Sequence, residues 1–259
     1  MTEDTAAFLA SLRLEHRTVE CLPDALVPPS LTDGYAIQRQ VVERLCAARG
    51  GAPIGYKVAL TSETAQSLVG YAAPVFGHML SHAHWRSGAA LAASQFTTRI
   101  IETEFAFRFS MDVPAEPQTR ETIVDYIGAL VPSIELVDHR FAGLDRMDAP
   151  TLAADNAIHG GWIESAAQTR WQHLDLARHT VSLRVNGAEI LTGAGDRVLG
   201  HPLEVLVWLA NTLPEHGLAL KAGDFVTTGL ATDGIYSAQA GDEVIADFGS
   251  LGQVAIFFE

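Results

Sequence analysis

The stretch IIETEFAFRF (residues 100–109) alternates its side chains with the two-residue period of a β-strand. Ile101 and Thr103 share one face with three phenylalanines, whereas Glu102 and Glu104 lie on the other face. Because the phenylalanine face must be buried, the stretch predicts a strand against the main core. The two carboxylates then project from the same side, about 6–7 Å apart along the strand.

A third carboxylate belongs to a second predicted strand, VPSIELVD (131–138), which carries Glu135. Three carboxylates that converge inside a protein repel one another unless a cation compensates their charge. Oxygen ligands in that number suit Mg²⁺ or Mn²⁺. The alternative is that Glu102 and Glu104 face solvent on a half-buried strand and that Glu135 is an unrelated surface residue. The residues alone leave both interpretations open.

Helical patterns occupy other parts of the chain. Apolar residues recur at helical spacing between two candidate N-caps, Ser30 and Thr32, and the glycines that follow residue 49. Pro202 suits the first turn of a second helix, and ETIVDYIGAL (121–130) also has helical spacing. VSLRVNGAEI (181–190) is instead typical of a hairpin, because Asn-Gly favours a type I′ turn.

The order of these elements predicts an α+β fold with one curled mixed β-sheet. Residues 1–75 are predicted to form an N-terminal helical subdomain packed on the core. Residues 76–259 are predicted to form the mixed-sheet domain that carries the functional site.

Composition narrows the class of protein. The 259 residues are 48% hydrophobic and 19% charged, which is typical of a compact globular chain. The net charge of −14, without a basic stripe, argues against a nucleic-acid partner. No stretch is long and apolar enough to predict a membrane span or a signal peptide. Cys21 and Cys46 have no metal-ligand or redox spacing, so we expect a cytoplasmic protein with reduced cysteines.

Seven segments resemble, in the same order, landmarks of the 2-keto-4-pentenoate hydratase and 4-oxalocrotonate decarboxylase group of the fumarylacetoacetate hydrolase superfamily. The resemblance covers most of the chain. The segments are GYKVALT (55–61), IETEFAF (101–107), VPSIELVDHRF (131–141), ADNAIHGG (154–161), LGHPLEVLVWLAN (199–211), AGDFVTTG (222–229) and GSLGQVAIFF (249–258).

The resemblance implies a mixed sheet rolled around a central metal site, and it implies a homo-oligomer. The family's metal-binding glutamates match Glu102, Glu104 and Glu135, and its active-site lysine matches Lys57. Burial beside a divalent cation would lower the pKa of Lys57 and suit it to acid–base catalysis. The alternative is an ordinary surface lysine.

Further site candidates come from the same match of motifs. His82 stands where relatives carry an aspartate, so it is a candidate proton relay, although a histidine-rich loop or a zinc site involving His78 and His84 stays open. Asp155 is a catalytic candidate; together with Asn156 it could orient Lys57 or a water, or merely cap a turn. The candidates for substrate binding are Leu60, His159, Thr228 and Gly229.

The resemblance implies a lyase acting on a small anionic 2-oxo acid. The leading hypothesis is hydration of a 2-hydroxy-2,4-dienoate to a 4-hydroxy-2-oxo acid. The rival within the family is decarboxylation of a 2-oxo dicarboxylate, which would need a distal cation such as Arg99 or Arg140. Hydrolysis of a C–C bond is a third hypothesis, and a non-catalytic metal-binding oligomer is a fourth.

Overall fold

The structure, a computed structural model, describes residues 2–259. No helix in that range is long and apolar enough to cross a membrane. The α-helices are α1 (Thr2–Leu14), α2 (Leu31–Arg49), α3 (Glu63–Val69), α4 (Arg120–Ile123), α5 (Ala149–Ala154) and α6 (Pro202–Thr212).

The strands form two sheets. In chain order they are β1 (Pro53–Ala59), β2 (Val75–Leu80), β3 (His84–Arg86), β4 (Ala89–Leu91), β5 (Ile100–Phe109), β6 (Ile127–Val137), β7 (His159–Glu164), β8 (Thr180–Val185), β9 (Ala188–Ala194), β10 (Phe225–Thr227), β11 (Tyr236–Ser237), β12 (Glu243–Asp247) and β13 (Gln253–Phe258).

The larger sheet has the strand order β2-β1-β10-β5-β6-β7-β3, with β11 paired to β5. It is mixed, because β1 pairs with β10 and β3 pairs with β7 in parallel while the other pairs are antiparallel. The smaller sheet runs β4-β13-β12-β8-β9. The predicted α+β fold with mixed strand pairing is confirmed, and the strands are divided between two sheets.

Strand β5 lies near the middle of the larger sheet and has the predicted bounds. Its phenylalanines join the main hydrophobic core, where Phe105 packs edge-on against Phe248, which follows β12 of the smaller sheet. The opposite face is also covered, since Glu104 and Ala106 are both fully buried. The interpretation that Glu104 faces solvent is therefore excluded.

The predicted helix over residues 121–130 is confirmed as far as Tyr126 and is wrong for residues 127–130. Helix α4 and a 3₁₀ turn end at Tyr126, and the chain continues as β6 from Ile127. Leu130 pairs with Phe107 of β5, so burial in the sheet overrides the helical spacing of this segment.

The N-terminal helices α1 and α2 pack with α5 in a second hydrophobic cluster. Residues 53–59 of the predicted N-terminal subdomain belong instead to the larger sheet as β1, between β2 and β10. The helical character of that subdomain is thus confined to residues 2–49 and 63–69. The division of the chain at residue 75 stays a prediction.

Candidate metal centre and active site

Three carboxylates meet where β5 pairs with β6. Glu102 lies directly opposite Glu135 in the register, and Glu104 follows two residues later on the same face of β5. Each side chain offers an oxygen that lies within 4.8 Å of those of the other two. Glu104 and Glu135 are fully buried, and Glu102 is partly exposed. The structure thus brings together all three predicted metal ligands.

Glu104 is an acceptor that the protein only half satisfies. Its Oε2 accepts a hydrogen bond of 2.5 Å from the Gly229 backbone N–H, whereas Oε1 is buried without a hydrogen-bond partner among residues 2–259. Burial, and then repulsion by Glu135 and Glu102, raises the pKa of Glu104 well above its usual range. A buried oxygen without a partner, beside two further carboxylates, fits a hard divalent cation. Such a cation would coordinate the free oxygen and offset the repulsion among the three carboxylates.

Lys57 reaches this cluster from β1, which lies two strands away from β5. Its Nζ is 3.3 Å from Glu135 Oε1 and donates a 3.1 Å hydrogen bond to the Ala157 carbonyl. Only 1% of Lys57 is exposed, so the alternative of a surface lysine is excluded. Burial acts to lower the pKa of Lys57, but attraction by Glu135, Glu102 and Glu104 raises it overall. A cation that shares the charge of these carboxylates would weaken that attraction.

His159 contacts the same carboxylate as Lys57. Its Nδ1 lies 3.1 Å from Glu135 Oε1, and its Nε2 is buried without a partner in the described chain. Burial opposes the ionisation of Glu135, yet Lys57 and His159 together lower its pKa. Glu135 therefore stays anionic while it touches two candidate proton carriers.

The segment that precedes β7 has an unusual backbone. Asn156, Ala157 and Ile158 all have positive φ angles, of 53°, 47° and 54°. Non-glycine residues rarely adopt this region, and three in succession need support from their surroundings. Part of that support is the Asn156 side chain, which hydrogen-bonds both backbone polar groups of His78. This strained turn directs the Ala157 carbonyl toward Lys57.

Arg13 of α1 clamps both ends of this turn. Its Nε bonds Asp155 Oδ1 at 2.5 Å, its Nη2 donates to the Asp155 carbonyl and its Nη1 to the His159 carbonyl. Arg13 was not among the site residues predicted from sequence. A detectable indication was present, because Arg13 continues the helical spacing of Ala6, Leu9 and Ala10 and so places a charge on the buried face of α1.

We expect Arg13→Met to lower the free energy of unfolding by about 3–5 kcal/mol, because it leaves Asp155 as a buried, unpaired charge. We also expect kcat to fall, since the turn that positions Lys57 loses its clamp. Urea denaturation and steady-state kinetics measure the two effects. Arg17→Met is the matched control, because Arg17 is half-exposed and, within residues 2–259, pairs with Glu15 and Ser11. Stability equal to that of the control would contradict the clamp.

A cleft of about 790 Å³ opens beside the carboxylates. Lys57 and Glu102 line it, together with the predicted substrate-binding residues Leu60 and Gly229. Ile158 of the strained turn lines it as well. The lysine and one of the three carboxylates, Glu102, thus line the same cavity.

Three predicted site residues lie elsewhere. His82 lines a second cavity of about 500 Å³, shared with His159, and its Nδ1 lies 3.0 Å from the Gly50 carbonyl. Thr228 donates its hydroxyl to the Phe105 carbonyl at 2.7 Å, so that group is used within the sheet. Asp155 is engaged by Arg13 rather than by Lys57. The catalytic and binding roles of these residues stay predictions.

Comparisons with known proteins agree with this geometry. The chain is 31% identical to 2-hydroxyhexa-2,4-dienoate hydratase of Comamonas testosteroni, over 93% of this chain and 91% of that protein. It is 29% identical to 2-keto-4-pentenoate hydratase 1 of Dechloromonas aromatica (strain RCB), over 99% and 97%. A solved structure of 4-oxalocrotonate decarboxylase from Pseudomonas putida G7, complexed with magnesium and adipate, superposes with a TM-score of 0.92 at 25% identity, covering 100% of this chain and 97% of that one.

The family assignment rests on a further match. Residues 57–256, which include the lysine and all three glutamates, match the fumarylacetoacetate (FAA) hydrolase C-terminal family. The resemblance predicted from the seven sequence segments is confirmed. The chain therefore belongs to the fumarylacetoacetate hydrolase family.

Proposed function

We propose that this protein is a metal-dependent hydro-lyase that hydrates a 2-hydroxy-2,4-dienoate to a 4-hydroxy-2-oxo acid. The observation that carries the proposal is the buried cluster of three carboxylates with Lys57 at the wall of a single cleft. Relatives that share nearly the full length of the chain are dienoate and 2-keto-4-pentenoate hydratases, which supports the same reaction.

The proposed cofactor is Mg²⁺ or Mn²⁺, held by Glu102, Glu104 and Glu135. Relatives of the same fold bind magnesium, calcium or manganese. When bound, such a cation supplies Lewis-acid stabilisation of the negative charge that develops on the substrate's oxygens. In a chain of net charge −14, the cation and Lys57 together also offset the repulsion of an anionic substrate.

Lys57 is the proposed proton carrier. In the first stage, the 2-hydroxyl proton leaves and a proton is added at C5, which converts the dienol to a 2-oxo-3-enoate. In the second stage, water adds its hydroxyl to C4 and a proton to C3. Lys57 Nζ is buried and tied to the Ala157 carbonyl, so it is positioned to exchange protons with a substrate in the cleft without reorganising.

The head group of the substrate is proposed to bind at the ends of β10 and β1. Gly229 and Leu60 line the cleft, and their proposed role is to contact the 2-oxo acid. His159 and Thr228 are proposed to support this end of the site from behind, because they contact Glu135 and the Phe105 carbonyl.

An ultraviolet assay with freshly generated 2-hydroxypenta-2,4-dienoate tests the function. We expect Mg²⁺-dependent loss of the dienol absorbance without release of CO₂, and a 4-hydroxy-2-oxo acid as the product. Loss of absorbance that does not depend on a divalent cation, or no loss at all, would contradict the proposal.

Decarboxylation is the second candidate, because the 4-oxalocrotonate decarboxylase structure superposes over the whole chain. CO₂ release from 4-oxalocrotonate would support it. A C–C bond hydrolase has some support in the Glu135–His159 contact, since a carboxylate–histidine pair can activate water. No activity with either the dienoate or 4-oxalocrotonate would favour that hydrolase or a non-catalytic oligomer.

His82 is proposed to relay protons from the second cavity, which it shares with His159. We expect His82→Asp to retain turnover within about threefold of wild type, because aspartate also exchanges protons, and His82→Ala to lose about tenfold or more. Steady-state kinetics with the dienoate measure both variants. Equal activity of His82→Ala and wild type would contradict the relay.

Two broader features are proposed from family membership and composition. The chain is proposed to form a homo-oligomer, which light scattering after size-exclusion chromatography tests; a mass equal to one chain would contradict it. A cytoplasmic location is proposed because Cys21 and Cys46 are both free thiols.

A further inference from the structure

The cleft has an apolar wall. It is built mainly from side chains of the second hydrophobic cluster, of which Leu60, Met147, Leu152 and Ile158 are each less than 8% exposed. Two residues of this wall lie close to Lys57 in the chain or in its contacts. Leu60 follows Lys57 by three residues, and Ile158 follows Ala157, whose carbonyl accepts a hydrogen bond from Lys57 Nζ. A substrate chain that extends from the 2-oxo acid head would therefore lie mainly against apolar side chains.

The mouth of the same cleft is acidic. Apart from Lys57 and Glu102, the acidic and basic side chains that line it within residues 2–259 are Glu63, Asp196, Asp233 and Arg197. All four are exposed, and three of them are carboxylates. The rim thus carries a formal charge of −2, from three acids and one base, and it repels an anionic tail.

The cations that a dicarboxylate could use lie elsewhere. Arg99 donates to the Ala238 and Ala93 carbonyls. Arg140 forms a two-pronged pair with Asp138, at 2.6 and 2.7 Å. Neither arginine lines the cleft. A second carboxylate on the substrate would lie against apolar side chains with only the rim Arg197 near it, and an unpaired carboxylate in such surroundings is costly.

We propose that the cleft selects 2-hydroxydienoates whose far end is an uncharged alkyl or aryl chain, and that it excludes dicarboxylates. This inference rests on the proposed function and narrows it to one class of substrate. It also separates this chain from enzymes that act on 2-oxo dicarboxylates.

A series of substrates tests the proposal. The specificity constant kcat/KM is measured with Mg²⁺ for the five-, six- and seven-carbon 2-hydroxy-2,4-dienoates and for 2-hydroxyhepta-2,4-diene-1,7-dioate. We expect kcat/KM to rise about fourfold for each added methylene, as expected for burial of apolar surface. We expect the dicarboxylate to be about 100-fold poorer than the seven-carbon monocarboxylate. A dicarboxylate that is turned over as well as that monocarboxylate would overturn the inference.

A binding experiment separates failure of the inference from failure of the proposed function. Calorimetry in Mg²⁺ compares 2-oxohexanoate with 2-oxoadipate, which share the head group and the number of carbons but lack the diene. Tighter binding of 2-oxohexanoate supports the selectivity even if no dienoate is turned over, in which case only the hydratase assignment fails. Equal or tighter binding of 2-oxoadipate, or no binding of either acid, overturns the inference.

A charge variant tests the rim directly. Asp196→Arg reverses one exposed charge at the mouth, so we expect the ratio of dicarboxylate to monocarboxylate kcat/KM to rise about tenfold. Asp125→Arg is the matched control, since Asp125 is also exposed but does not line the cleft. A ratio that does not change, or that changes equally in the control, would contradict the rim's role.

Discussion

Glu104→Ala is expected to lower kcat/KM by about 1,000-fold, equivalent to about 4 kcal/mol of transition-state stabilisation. Glu104 is fully buried and its Oε1 has no hydrogen-bond partner in the described part of the protein, so loss of the side chain removes one of the three proposed ligands. We expect the fold to survive, because the substitution also removes a charge that Glu102 and Glu135 repel. Steady-state kinetics in Mg²⁺ measure the loss of activity.

Thermal unfolding with and without Mg²⁺ separates metal binding from stability. Wild type is expected to gain stability with Mg²⁺, by about 2.7 kcal/mol at a concentration about 100 times the dissociation constant. Glu104→Ala should lose most of that gain while it melts no lower than wild type without the cation. Glu189→Ala, on the exposed side of β9, is the control. Unchanged Mg²⁺-dependent stabilisation and activity in Glu104→Ala would refute the metal site.

Lys57→Met is expected to lower kcat by about 100- to 10,000-fold, the usual range for loss of a positioned proton carrier. Methionine has a side chain of similar length to that of lysine, so it occupies much of the same buried space, but it cannot carry a proton. Because Lys57 is a cation 3.3 Å from Glu135, its removal also takes away a competitor of the metal ion. The variant should therefore bind Mg²⁺ at least as tightly as wild type, which calorimetry measures.

The chain offers a matched control for this variant. Lys221 is the only other lysine in the sequence, and its ammonium group pairs with Asp112 on the surface. Lys221→Met should leave kcat and Mg²⁺ affinity unchanged. If Lys57→Met kept more than about a tenth of wild-type turnover, its role as proton carrier would be wrong; if it lost Mg²⁺ binding, Lys57 would be structural.

The parts of the fold that depend on local pattern could be predicted from sequence. Strand β5 has the bounds of its alternating stretch, because its phenylalanine face needs burial whatever its neighbours. The hairpin of β8 and β9 turns at Asn186 and Gly187, which both have positive φ as the Asn-Gly pair predicts. Of the two candidate N-caps, Ser30 caps α2 by accepting a hydrogen bond from the Asp33 N–H, whereas Thr32 lies inside the helix.

The depth of the carboxylate cluster could not be predicted in this way. Alternation in β5 is equally compatible with glutamates in solvent, and only neighbouring elements cover that face. Gly229, at the end of β10, supplies the N–H that binds Glu104, and Lys57 arrives from β1. These contacts join distant parts of the chain, so no short window of sequence contains them.

The backbone conformation of the strained turn could not be predicted from the sequence, for a different reason. Asn156, Ala157 and Ile158 include no glycine, so their propensities do not indicate three left-handed residues in succession. The conformation is held from outside, by Arg13 and by the backbone of His78. Family resemblance made Asp155 a candidate to orient Lys57, whereas the structure pairs its carboxylate with Arg13.

The pairing of Arg13 with Asp155 has a consequence for biosynthesis. The two residues are 142 positions apart, so the ribosome delivers the arginine long before its partner. At typical elongation rates of about 5–20 residues per second, the interval is roughly 7 to 28 s. During that time α1 has a charge on its apolar face and no acid to receive it, which favours docking of the helix only after the middle of the chain has emerged. The strained turn is thus completed only after both partners have been made, by a helix that leaves the ribosome well before the turn itself.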